Sequence, residues 1–201
     1  MTDTYKTITN IAEGIYKEKG SKFLSFAIPV HNPDEVKELI KSYKKEYYDA
    51  RHVCYAYTLG AERNEWRAND DGEPSGTAGR PIHGQINSRE LTNVMVIVVR
   101  YFGGILLGTG GLTTAYKEAA ADALNHAEIV EKTVDEIIDI SFNYLLINDV
   151  MSIIKDSNAR ILHQTFDNKC DMQLSIRKQD APLLSSKLLK INGVVIDTDE
   201  I

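Results

Sequence analysis

Between Asn93 and Arg100 the chain runs Val94-Met95-Val96-Ile97-Val98-Val99 without a polar residue. A strand with one wet face alternates apolar and polar side chains; a short unbroken apolar run reads as a strand covered on both faces. The rest of the chain must therefore fold around it. Segments rich in glycine and proline bracket this run. Asp70-Asp71-Gly72-Glu73-Pro74-Ser75-Gly76-Thr77-Ala78-Gly79-Arg80-Pro81 precedes it, and Arg100-Tyr101-Phe102-Gly103-Gly104 with Gly108-Thr109-Gly110-Gly111 follows. Such backbone takes positive φ or approaches a neighbour closely, so the two segments are expected to lie together and share a site.

Phe23 to Val30 reads as a strand that Pro29 places near an edge or end. A helix follows, with Asn32 as cap, Pro33 in the first turn and Asp34 and Glu35 beside the positive dipole end. Val36, Leu39, Ile40, Tyr43 and Tyr47 form its apolar face. Lys37, Lys41, Lys44 and Lys45 interleave with Glu38, Glu46 and Asp49, which reads as a solvated, ion-paired face. Val53 to Leu59 is a further strand. The long connection from there to Asn93 reads as a folded loop with a purpose. Leu112, Ala115, Tyr116, Ala119, Ala120, Ala123, Leu124 and Ala127 mark a second helix, whose alanines imply close approach to a sheet.

Gly103 to Gly111 is then a strand-to-helix turn, where unspent backbone N–H groups and the positive helix end converge. It suits a phosphate or carboxylate; a purely structural tight turn is the alternative. It is neither a P-loop nor a GxGxxG dinucleotide fingerprint, and no cofactor is implied.

Beyond a polar joint at Val130 to Asp135, the pattern is strand (136–142), helix (148–157), strand (160–166), strand (170–176), helix (181–190) and strand (194–198). This βαββαβ order implies a ferredoxin-like unit with helices on one face. The expected fold class is α+β. Residues 1–132 form a β-rich sandwich with two principal helices on one face, and residues 133–201 form the smaller domain.

A formal net charge of −6 weighs against indiscriminate polyanion binding, and the first 130 residues carry −2 of it against −4 for the remainder. Thr2 to Asn10 is polar and no apolar run approaches spanning length, so no membrane association is expected and the location is cytoplasmic. Cys54 and Cys170 lie far apart and read as reduced, structural thiols. The five histidines show no metal-ligand spacing, and no metal site is expected, although His52 and His83 could approach the motif loops. Trp66 sits in a polar stretch, stacking on a base or anchoring the loop.

Taken together, DDGEPSGTAGRPI, LTNVMVIVVRYFGGILLGTGGL, YDARHVCYAY and Gly20-Ser21-Lys22-Phe23 resemble the YigZ/IMPACT family over most of residues 15–130. The last segment is similar to the accessory domain that bacterial members add. The resemblance implies a ribosomal-protein-like β(α) sandwich, akin to the fourth domain of elongation factor G, followed by a unit akin to its fifth. Eukaryotic relatives carry a different N-terminal module and regulate translation through a protein that activates a starvation-sensing kinase.

Two functions follow as expectations. In the first, a non-enzymatic regulator binds RNA, the ribosome or a translation factor. Lys22, Arg80, Arg100 and Lys117 supply charge, and the amides around Gly103, Gly104, Gly108, Gly110 and Gly111 hold phosphate oxygens. In the second, a metal-dependent enzyme acts on a phosphorylated small molecule or nucleotide. Asp70, Asp71 and Glu73 would hold the metal, with Ser75 as nucleophile. No base stands at a telling distance from Ser75.

Overall fold

A computed structural model describes residues 3–197. It divides into two units, Tyr5–Lys132 and the residues from Thr133 onward together with Asp3 and Thr4. The first unit is built on an antiparallel sheet of β2 (Ala12–Glu18), β3 (Ser21–Pro29), β4 (His52–Leu59), β5 (Glu65–Asn69) and β6 (Val94–Tyr101). Their order is β2-β3-β6-β4-β5. The apolar run is β6, the central strand, with every residue from Val94 to Arg100 buried.

Strand alternation then sorts its side chains. Val94, Val96 and Val98 pack with α2 (Gly79–Ser88) and α3 (Gly108–His126); Met95, Ile97 and Val99 pack with α1 (Pro33–Glu46). The sheet is thus covered on both faces, as the run requires. The expected pair of helices on one face is corrected: α1 and α3 take opposite faces, and the partner of α3 is α2, which lies inside the stretch read as a loop. That stretch also contains β5, so Trp66 sits on a strand, half exposed and stacked on His83 with ring centroids 4.3 Å apart.

Helix α1 starts where its residues dictate. Asn32 Oδ1 accepts from the N–H groups of Asp34 and Glu35, and the Glu35 carboxylate reaches back to the His31 N–H at 2.8 Å. Its aromatic face closes on Phe26, with Tyr43 and Tyr47 at centroid distances of 5.0 and 5.6 Å. Helix α3 lies close on the sheet. Ala115, Ala119, Ala120 and Ala123 are fully buried, and a side chain at Gly14 of β2 would sit 2.4 Å from the Ala123 nitrogen. Strands β1 (Thr4–Ile8) and β7 (Ile129–Thr133) pair in a separate two-stranded sheet.

The second unit orders β8 (Asp135–Asn143), β9 (Arg160–Thr165), β10 (Lys169–Arg177) and β11 (Val195–Asp197) as β11-β8-β10-β9, all antiparallel. Ile138, Ile140 and Phe142 of β8 and Cys170, Met172, Leu174 and Ile176 of β10 form one apolar face. It packs against α4 (Ile147–Lys155) and α5 (Ala181–Leu188). Asp3 is fixed to this unit by Arg177, with contacts of 2.6 and 2.9 Å. The expected end of the last strand, Thr198, lies outside the described residues, as do Met1 and Thr2. Among those described, no helix is long and apolar enough to cross a membrane.

Candidate functional site

Sheet register assembles the site in the first unit. Phe23 of β3, Arg100 of β6 and His52 of β4 are direct cross-strand neighbours, so they form one row on the α3 side at one end of the sheet. Tyr116 of α3 packs edge-on against Phe23 at 5.1 Å. Into this row the loop before α2 inserts Glu73, whose side chain is only 3% exposed. Arg100 Nη1 and Tyr116 Oη both donate to Glu73 Oε1 at 2.7 Å, and the Cys54 thiol donates to Tyr116 Oη at 3.3 Å. Burial pushes the Tyr116 phenol and the Cys54 thiol far up, so both remain protonated donors. The Arg100 guanidinium also lies between the rings of Phe23 and Phe102, 5.6 and 5.7 Å from their centroids.

The two other acidic residues of that loop are spent on its own architecture. Asp70 accepts from the N–H groups of Gly76, Ala78 and Gly79 at 2.8 to 3.0 Å, capping α2 from nine residues upstream of its first residue. Burial alone would raise its pKa, but the amides of Gly76, Gly79 and Ala78, with the charge of Arg80, hold it below the usual carboxylate range. Asp71 accepts from Lys44 at 2.5 Å and from the Val53 N–H at 2.7 Å, while its carbonyl meets His52 Nδ1 at 2.8 Å. Asp70, Asp71 and Glu73 therefore face three different sets of partners and not one shared point. Among the described residues no group of three or more His, Cys, Asp or Glu is arranged to hold a metal ion. Ser75 is exposed on the same loop.

The glycine turn divides. Gly103 is a packing residue: a Cβ there would lie 1.9 Å from the Gly20 carbonyl carbon, and its N–H is already donated to Ser21 Oγ at 3.1 Å. It has no amide left for an anion. Gly104 and Gly108, with φ of 88° and 70°, face open space, as does Gly110. Helix α3 begins at Gly108 and its cap, Leu107, offers no side-chain acceptor. The first-turn N–H groups of Gly108, Thr109 and Gly110 thus point outward from an exposed, uncapped end.

This end borders a cavity of 540 Å³, whose walls include Arg51, His52, Glu73, Arg100, Phe102 and Thr109, with Leu106 and Leu112. Of the residues expected to bind an anion, Arg100 and Gly108 line it. Lys22 neighbours Phe23 on the strand and so projects to the opposite face. Lys117 lies nine residues into α3, about 13 Å along the axis from its start. Arg80 is exposed on the first turn of α2. Arg51, absent from the sequence expectations, supplies an exposed guanidinium with no ion-pair partner among the described residues. Its signal was present in YDARHVCYAY, where it stands beside His52.

Comparison with known proteins places these residues in context. The Impact N-terminal domain family matches residues 19–124. IMPACT family member YvyE of Bacillus subtilis is 30% identical over 200 residues, covering the whole of this chain and 92% of that protein. IMPACT family member YigZ of Escherichia coli is 29% identical over 172 residues, 85% of this chain and 84% of its own. Mouse Protein IMPACT is 36% identical over 104 residues, 49% of this chain and 32% of its length. A crystal structure described as a hypothetical protein superposes with a TM-score of 0.77 at 25% identity, covering both chains completely.

Proposed function

The chain belongs to the IMPACT family, and from that premise we propose that it is a non-enzymatic, cytoplasmic regulator of translation that grips RNA at the start of α3. One observation carries this reading. The uncapped first turn of α3 opens onto a cavity whose wall also holds Arg51, which has no ion-pair partner among the described residues, so amide donors and a positive charge line the same cavity. Phe102 and Leu106, 48% and 82% exposed, add an apolar lip of the kind on which a splayed base rests. The family resemblance supports the link to translation. So does the strand order of the second unit, which we read as ferredoxin-like, beside a first unit read as akin to the fourth domain of elongation factor G.

Thr109→Glu tests the reading. It sets a carboxylate on the cavity wall in the first helical turn, where negative charge favours the helix. Wild-type protein is expected to co-sediment with ribosomes and to bind single-stranded RNA at low salt, with affinity falling as salt rises. The variant is expected to bind about tenfold more weakly with an unchanged or raised Tm. Absence of wild-type association at low salt, or equal binding by the variant, overturns the reading.

A further inference from the structure

Resting on that reading, we propose that Trp66 is a stacking platform for an unpaired base of the same RNA, a second contact outside the cavity beside α3. Arg63, at its side, takes the neighbouring phosphate. The indole carries the argument. It stands on the edge strand β5, 54% exposed, with one ring face stacked on His83 at a centroid distance of 4.3 Å and an interplanar angle of 16°. Among the described residues no other ring packs on it, and no guanidinium or ammonium lies over it.

The support beneath the indole is fixed. Arg63 Nη2 donates to Asn87 Oδ1, which turns the Asn87 amide nitrogen towards His83 Nδ1 at 3.3 Å, and His83 Nε2 lies 3.3 Å from Thr58 Oγ1. Burial, with the charge of Arg63, lowers the His83 pKa. The neutral ring accepts from Asn87 at Nδ1 and donates to Thr58 from Nε2, so both nitrogens are engaged. What this ring supplies is a flat face held in one orientation, and Trp66 extends that stack into solvent. A platform ordered in advance loses little freedom when a further ring settles on it.

The charge beside it is positive. Trp66 pairs across the strands with Thr58 and shares its face of the sheet, whereas alternation sends Glu65 and Arg67 to the other face. Arg63 makes no ion pair, with Glu62 or any other carboxylate, among the described residues; Glu90 is held by Lys6 at 2.8 Å. A rigid apolar face flanked by a cation is matched by a flat ring joined to an anion, and an unpaired nucleotide is that combination. An aliphatic side chain of a protein partner would cover the indole and leave Arg63 unanswered. His52, on the cavity wall, stands six residues before Thr58 on β4 and on the same face. At ~3.3 Å per residue the two contacts lie about 20 Å apart along the strand, within the reach of one single strand of about a dozen nucleotides.

Trp66 is the only tryptophan in the chain, so tryptophan emission reports on this position alone. Binding of a single-stranded RNA of that length is followed at low salt by the anisotropy of a label on the RNA and, with unlabelled RNA, by Trp66 emission. The comparison strand has the same sugar-phosphate backbone and no bases. The base-bearing strand is expected to quench Trp66 and the abasic strand to leave its emission unchanged. Trp66→Ala, checked for folding by thermal unfolding, is expected to bind the base-bearing strand about 5- to 100-fold more weakly, the worth of one stacked base. Its salt dependence stays that of the wild type, because no phosphate contact is removed; Arg63→Gln is expected to lower the slope of log affinity against log salt by about 0.7.

RNA that binds without quenching Trp66, equal quenching by the abasic strand, equal affinity of Trp66→Ala, or an unchanged slope in Arg63→Gln overturns the proposal. Each leaves the α3 reading standing, since Thr109→Glu still weakens that binding. No binding of RNA to the wild type overturns both. The quenching comparison needs no variant, so it decides the matter even if Trp66→Ala unfolds.

Discussion

The loop from Asp70 to Gly79 and the turn from Phe102 to Gly110 draw on much the same alphabet of glycine and hydroxyl residues, yet they use their polar groups in opposite directions. In the loop, Asp70 gathers three amides, Asp71 ties Lys44 to the Val53 backbone, and Glu73 anchors Arg100 and Tyr116. Its hydrogen bonds are turned inward. In the turn, past Gly103, the amides of Gly108, Thr109 and Gly110 face outward with no side-chain cap. The lesson is that composition marks both as unusual, and an accounting of donors and acceptors tells a brace from an open site.

That contrast can be broken by substitution, and the sharpest blow falls on the brace. Glu73→Ala leaves the Arg100 guanidinium buried, 6% exposed, without its carboxylate. The loss is expected to be about 3–5 kcal/mol in urea unfolding. A loss below about 1 kcal/mol, the level of an exposed pair, would return Glu73 to the class of surface ion pairs.

Next comes the packed half of the turn. Gly103→Ala drives a methyl group into the Gly20 backbone, and is expected to cost about 3 kcal/mol by the same measurement. A mild effect there would mean that Gly103 belongs with the open glycines.

Asp70→Asn keeps the shape of the brace but weakens its acceptor, at an expected cost of about 2 kcal/mol at pH 7. The sign with pH is fixed by the direction of the shift. The folded carboxyl lies below its unfolded value, so its contribution is complete above about pH 5 and fades as pH falls through the folded pKa. The gap between wild type and Asp70→Asn should therefore narrow from pH 7 to pH 3. A gap independent of pH would remove the charge from the explanation.

The smallest effect has the opposite sign. A Cβ at Gly110 meets no neighbour, so Gly110→Ala is expected to stabilise α3 by about 0.5–1 kcal/mol, read as a small rise in Tm. Destabilisation would show that this glycine too is packed.

How much of this was legible varies by element. Helix α1 carries its own start signal in Asn32, Pro33 and Glu35, all within four residues, and the helix begins where that signal stands. Helix α2 was missed because it has two glycines and a proline, and its cap is Asp70, nine residues before its first residue. Only the spacing of Ile82 and Ile86 hinted at it. Glu73 stands within three residues of Asp70 and Asp71, and that adjacency suggests a shared ligand where the fold gives each carboxylate separate partners. Lys22 and Lys117 share only their charge with Arg100, and strand alternation and helical rise separate them from it.

The sequence by itself determined the elements whose causes are local: the central apolar strand, the capped helix α1, the alanine face of α3, and the family, which is written in long contiguous motifs. The tertiary structure decided which amides are spent and which are free. A donor at Gly103 and a donor at Gly108 look alike in the chain, and Ser21, some eighty residues away, satisfies one of them. Hydrogen bonds act over about 3 Å, and only the folded chain brings distant residues within that reach.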